Sequence, residues 1–179
     1  GSTVTRGADV AGIKGTNFTD FYNQTEGTIF SNLVPLSDSV GNNSGTGSVY
    51  WSINANSGFG DGIYLSNGTG YTTANLSGYV SSNSQLSGVN SSTISNGVDV
   101  KLAHAFKQND FIGATDGTLT SADTSGNLAT NVRLVIGNNA WGGTDIMSNS
   151  LNAANAHVKR FSYYPKRLPN AQLQGLTQQ

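Results

Sequence analysis

Two stretches of strict period-two alternation constrain this chain more than anything else in it. In Val49–Ala55, Val49, Trp51, Ile53 and Ala55 fall on one face, and Tyr50, Ser52 and Asn54 on the other. In Val98–Phe106 the apolar side carries Val98, Val100, Leu102, His104 and Phe106. Alternation over seven to nine residues suits a strand with one face buried and does not suit a helix. Between such stretches lie Asn, Asp, Ser and Gly rather than Lys- and Glu-rich helical spans. The charged fraction is 11%, and 23 glycines help to fill its place. Gly, Asn, Ser and Thr all disfavour helix interiors, so long helices are excluded.

The remaining elements follow from turn chemistry. Thr5–Lys14 reads as a segment wrapping a sheet edge, and Asn17 as the N-cap of a short turn that brings Phe18, Phe21 and Tyr22 onto the core. Glu26-Gly27 opens a strand over Thr28–Val34, closed by Pro35. Asp38–Ser48 is a loop. Ile63–Ser66 is a returning strand, and Asn67-Gly68 predicts a tight hairpin toward Tyr71–Leu76. Ser77–Asn96 carries the weakest pattern and reads as the least structured segment, anchored only by Tyr79, Val80, Leu86, Val89 and Ile94. Asp116-Gly117, between Asp110–Ala114 and Thr118–Thr120, is a strong hairpin signal. Asn131–Gly137 follows as a strand with Val132, Leu134 and Ile136 inward. Val158–Tyr164 is the last strand, and Pro169 is placed as the first residue of a closing helix with Leu173 and Leu176 packing down.

Strand after strand with Asx/Gly turns and one terminal helix predicts an all-β, two-sheet antiparallel sandwich. A length of 179 residues with no repeat and no linker predicts one domain over 1–179. Gly1-Ser2 reads as a cloning scar, which points to a domain excised from a longer chain. The net charge of −1 gives no general grip on nucleic acid or an anionic membrane. No apolar run reaches the ~18 residues of a membrane span. The absence of Cys removes disulfides, thiolate metal sites and a Cys nucleophile.

The ends and the centre carry a resemblance. HVKRFSYYPKRLPNAQLQGL (His157–Leu176) is similar to the "YYP-rRLs-aElq-L" ending of concanavalin A-like (laminin G-like) jelly-roll domains in bacteriophage virion proteins. TRGADVAGIKGTNFTDFYNQTEGTIF (Thr5–Phe30) resembles the opening of those domains, and VKLAHAFKQNDFIGATDGTLTSADTSG and NVRLVIGNNAWGG resemble their central hairpin and a later strand. Two departures stand out: LNAANA (Leu151–Ala156) replaces a short turn, and Gln172 replaces an acidic residue of the terminal helix. The resemblance implies a jelly roll of roughly 12–14 strands. It also implies a location in the virion, on a phage tail or capsid appendage, with other virion proteins as partners. A homotrimer of the full-length protein is compatible with it. Fold does not fix function, because this group includes lectins, hydrolases, lyases and structural modules.

Residue chemistry narrows that range. Glycoside hydrolysis needs paired carboxylates, and Glu26 is the single Glu of the chain. A lyase needs a His or Tyr base beside an Arg or Asn, for which His104, His157, Arg133 and Arg160 are the available parts. His104 sits on an apolar strand face and reads as a hydrogen-bonded core residue. Glycan binding needs an aromatic platform with amides and carboxylates around it. Trp141 in GNNAWGGT, with Asn138, Asn139 and Asp145 beside it, fits that description as well as it fits a plug in the sandwich rim. Trp51 reads as core. Tyr50, Tyr64 and Tyr71 either line the concave face or are ordinary sheet aromatics. No cofactor is expected. Ca2+ stays open, with Asp61 and Asp145 as conceivable ligands, although isolated Asp in Gly-rich turns is commonly turn chemistry. Lys159, Arg160, Lys166 and Arg167 read as solvated charge whose stems cover apolar surface.

The expected function is a non-catalytic, carbohydrate-binding host-recognition module for a cell-surface glycan or polysaccharide, with Trp141, Asn138, Asn139, Asp145, Tyr64 and Tyr71 as ligand-binding residues. A structural or decorating virion module is the alternative, and a polysaccharide-degrading enzyme stands last. Neither nucleic acid nor membrane insertion is expected.

Overall fold

The computed structural model of the chain describes residues 11–36, 49–55, 62–67, 73–80, 84–93, 95–137, 154 and 156–178. Along these run β1 (Ala11–Lys14), α1 (Thr16–Thr19), β2 (Glu26–Pro35), β3 (Val49–Asn54), β4 (Gly62–Asn67), β5 (Thr73–Val80), β6 (Ser84–Thr93), β7 (Val100–Lys107), β8 (Asp110–Thr115), β9 (Thr118–Leu119), β10 (Arg133–Ile136), β11 (Ala156–Tyr164) and α2 (Asn170–Thr177). The strands form two antiparallel sheets, one ordered β1-β10-β3-β4-β5-β6 and the other β11-β2-β7-β8-β9. This is the expected two-sheet jelly-roll sandwich with a short C-terminal helix. The described residues hold eleven strands.

The core lies where alternation puts it. Ile29 and Leu33 from β2, Val100, Leu102 and Phe106 from β7, and Phe111 from β8 meet Trp51, Ile53, Ile63, Leu65 and Leu134 of the six-stranded sheet. Trp51 reaches across to Phe161 of β11 edge-on, with ring centroids 6.1 Å apart. At one end, α1 places Phe18 and Tyr22 in a stack at 4.6 Å, and Tyr22 stacks in turn on Tyr163 at 5.5 Å. Asn131 donates to the Tyr22 hydroxyl at 2.9 Å. Burial pushes the Tyr22 phenol upward, partly offset by that hydrogen bond.

The opposite face of the five-stranded sheet is paved with Ala103, Ala105, Ile112 and Ala114, and α2 lies on it through Leu173. Small side chains there let the helix approach closely. The Thr177 hydroxyl accepts from Gly117 N at 3.0 Å and donates to Leu173 O at 2.9 Å, tying the helix end to the β8–β9 turn. In that turn Asp116 and Gly117 both have positive φ, 46° and 81°. Thr115 pairs directly with Thr118, so this is the tight two-residue hairpin that Asp-Gly predicts.

Several local expectations are corrected. α1 begins at Thr16 behind Gly15, not behind Asn17, because the Gly15 carbonyl accepts from both Phe18 N and Thr19 N at 3.0 Å. Pro169 is the N-cap of α2 rather than its first residue. Val98 precedes β7 and is 54% exposed, since the strand and its burial start at Val100. β4 ends at Asn67, which pairs with Ala74, so the two strands are not joined by a two-residue turn at Asn67-Gly68. Ser77–Asn96 is more structured than its pattern suggests: β5 continues to Val80 and β6 pairs with it antiparallel. Backbone ladders need no particular side chains, so a Ser/Asn/Gly-rich segment becomes a strand when a neighbour supplies its hydrogen bonds.

Candidate functional site

Three regions carried functional expectations, and the structure treats them differently. The first is the loop around Trp141. β10 runs out at Ile136, which pairs with Ala11 on one side and Trp51 on the other. Gly137 N then donates to Tyr50 O at 2.8 Å, fixing the point where the chain leaves the sheet. The chain returns at Ala154, whose N–H donates to Gly137 O at 2.8 Å. Two residues later it enters β11 in the other sheet, where Ala156 pairs with Pro35. Gly137 and Ala154, which flank residues 138–153 in the sequence, are therefore joined by one hydrogen bond at the rim where the two sheets meet.

Beside that pinched base lies an open cleft of about 630 Å3. Among the described residues it is lined by Ala11, Ile136, Gly137, Ala154, Ala156, His157 and Val158. Its walls are short apolar side chains, with the exposed His157 imidazole as the polar group. A volume of this order suits a few sugar rings or a comparable small ligand. Trp141, Asn138, Asn139 and Asp145 lie outside the described residues, as do Tyr71 and Asp61.

The second region is the outer face of the six-stranded sheet. Arg133 pairs with Asn54, and Ser52 pairs with both Val135 and Tyr64, so these side chains share that face. All five are buried, Arg133 to 3% exposure and Tyr64 to 6%. Arg133 donates through Nη2 to Ala55 O at 3.3 Å, and burial lowers its pKa. Tyr64, expected as a ligand-binding residue on an open concave face, is thus corrected: the protein's own chain covers that face. Tyr50 is corrected differently. The β3–β4 ladder slips between Val49 and Trp51, a bulge that gathers Tyr50 into the same core cluster as Trp51.

The third is the basic and acidic inventory. The lyase parts are dispersed: His104 points between the sheets, Arg133 lies on the outer face of one sheet, and His157 stands at the rim cleft. Arg160 packs over the Phe30 ring at 5.4 Å, on the far side of the other sheet. His104 is core, as expected, yet neither ring nitrogen has the hydrogen bond expected for it. Of the carboxylates, Glu26 accepts from Arg167 N at 3.0 Å and Asp110 from Arg167 Nη2 at 2.8 Å. Asp116 and Asp123 accept from the backbone of Lys101 and Ser125. Asp99 pairs with Lys159 at 2.6 Å on the surface, an exposed pair worth about 0–1 kcal/mol. Each of these five acids is engaged in holding the fold. Among the described residues no group of three His, Cys, Asp or Glu side chains is arranged to hold a metal ion.

The rim base gave a faint sequence signal, in GNNAWGG followed by LNAANA. The covered outer face gave none, because Ser52, Asn54 and Arg133 occupy positions that alternation assigns to solvent.

No family model matches the sequence, and no curated protein matches it. Solved structures do. The chain is similar to the Ruminococcus gnavus IT-sialidase CBM40 bound to α2,3 sialyllactose, with a TM-score of 0.68, 13% identity, and coverage of 96% of this chain and all of that one. It is similar to the heptameric SAP-like pentraxin of Limulus polyphemus, at a TM-score of 0.58 and 13% identity, over 86% of this chain and 71% of that one. It is also similar to mouse laminin alpha1 domains LG4-5, at a TM-score of 0.58 and 10% identity, over 82% and 37%. The chain therefore has the concanavalin A-like jelly-roll fold of these domains.

Proposed function

We propose that this domain is a non-catalytic carbohydrate-binding module that holds a cell-surface glycan at the sandwich rim. One observation carries the reading: Gly137 and Ala154, the residues that flank 138–153, are joined by a hydrogen bond beside an open cleft of about 630 Å3. A rigid rim that anchors a Trp- and Asn-bearing loop is how binding loops are commonly mounted on β scaffolds. Trp141 supplies the stacking platform, Asn138, Asn139 and Asp145 read hydroxyls, and His157 borders the cleft from below. The engagement of Glu26, Asp99, Asp110, Asp116 and Asp123 in structural bonds supports binding over hydrolysis. The full-length likeness to a CBM40 solved with α2,3 sialyllactose supports the same ligand class.

The place of action in this reading is a phage tail or capsid appendage, where the domain recognises its host. That rests on the sequence resemblance at both ends of the chain. A second reading, a structural module packed on other virion proteins, draws on the apolar groove of about 480 Å3 between Tyr164, Leu168, Ala171 and Leu176.

A glycan array probed with the wild type and with Trp141→Ala separates the two. The binding reading expects retention of one glycan class by the wild type and at least a tenfold loss in the variant, since removing a stacked aromatic forfeits on the order of 1.5 kcal/mol or more. No retention by the wild type, or unchanged retention by the variant, removes the site.

A further inference from the structure

The centre of the sandwich contains polar atoms that the protein leaves unanswered. Trp51 Nε1, both ring nitrogens of His104 and Thr115 Oγ1 are buried and have no hydrogen-bond partner. Their residues are 2%, 2% and 3% exposed. All three line one small cavity of about 10 Å3. Its other walls include Ile29, Ser31, Leu65, Leu102 and Gly113.

The topology explains how such a cavity forms. His104 pairs with Ile29 on one side and Gly113 on the other, so Gly113 offers no side chain to fill the space beside the imidazole. One step along the ladder, Leu102 pairs with Ser31 and Thr115, which brings a second hydroxyl to the same wall. Trp51 closes the space from the opposite sheet. A buried donor or acceptor left without a partner costs about 1–3 kcal/mol. Four such atoms around one void is more than a native core tolerates without an occupant. A cavity of this size holds one water molecule, and a buried water needs 2–4 polar partners.

We propose that one structural water sits at the centre of the sandwich and links the two sheets through Trp51, His104 and Thr115. It accepts from the Trp51 indole N–H and donates to an imidazole nitrogen of His104 and to Thr115 Oγ1. The three side chains come from β3, β7 and β8, so a single molecule ties both sheets. The site shares no lining residue with the rim cleft, which makes it independent of the glycan reading there.

The test is a water–protein NMR cross-peak at the indole proton. The chain has two tryptophans, so the Trp141→Ala variant leaves Trp51 as the sole indole signal. The expected result is a water cross-peak at Trp51 Hε1 with the sign of a water held longer than molecular tumbling. His104→Leu, which withdraws two of the four polar atoms at similar volume, should abolish it while the other amide shifts stay in place. Absence of the cross-peak in the Trp141→Ala protein overturns the proposal, as does full intensity in a folded His104→Leu variant. If His104→Leu fails to fold, a crystal structure of the wild type at about 1.5 Å decides. Density in the cavity about 2.9 Å from Trp51 Nε1 sustains the proposal, and its absence ends it.

Discussion

Between pH 7 and pH 4 the protein should lose about 3 kcal/mol of stability through His104 alone. The imidazole is 2% exposed, and burial lowers its pKa from 6.5 to about 3. No charged side chain among the described residues lines its cavity, so nothing there offsets a proton. Below pH 6.5 the unfolded chain binds that proton and the native state does not. The contribution is therefore complete above the unfolded value and falls as pH drops, by ~1.4 kcal/mol per unit, until the folded value is reached. Single domains hold only about 5–15 kcal/mol, so this one residue governs a large share of acid stability. Urea midpoints at pH 7, 5 and 4 for the wild type and His104→Leu isolate it. The wild type should show the steeper decline, with the difference between the two proteins growing toward low pH. Parallel declines would show that His104 is not titrating in this window.

The role of His104 shows where sequence and structure part. Its place in the core was legible from alternation, because Val100, Leu102 and Phe106 flank it at period two. Its lack of a hydrogen bond was not, because the missing partner is a property of Gly113 on the neighbouring strand, and register is not written in a single segment. The bulge at Tyr50 was hidden for the same reason. It exists only as two residues of β3 set against one of β4. β6 and the second half of β5 escaped detection because their ladders are backbone chemistry, to which Ser, Asn and Gly contribute no pattern.

For the candidate site the division is sharper. Trp141 was singled out by type and by its Gly-rich setting, which is information the sequence contains. The hydrogen bond between Gly137 and Ala154 that mounts its loop joins residues on two different sheets' approach paths, and no local motif encodes it. Conversely, Tyr64 was assigned to an open face by alternation, which tells two faces apart but not which of them the rest of the chain covers. Arg133, Asn54 and Ser52 make the same point, as polar residues on the correct face that became interior.

Gly62→Ala should be the most damaging single-methyl change in the described chain, with a loss of about 3–5 kcal/mol. Gly62 opens β4 at φ +152°, a region that residues with a side chain rarely adopt. A methyl there would collide with the Ile53 carbonyl oxygen and lie 3.0 Å from Asn54 Cα. Both obstacles are backbone of β3, the strand that carries Trp51 and Ile53 into the core. Relief would require β4 to move away from β3 and take Ile63 and Leu65 with it. Gly175→Ala provides the opposite case. Gly175 lies inside α2 with nothing within 4 Å of the added methyl, so helix propensity predicts a gain of up to about 1 kcal/mol. Denaturation midpoints of the two variants beside the wild type should therefore move in opposite directions. A small effect of Gly62→Ala would mean that the β3–β4 pair yields without cost, and that the bulge at Tyr50 already absorbs the strain of this ladder.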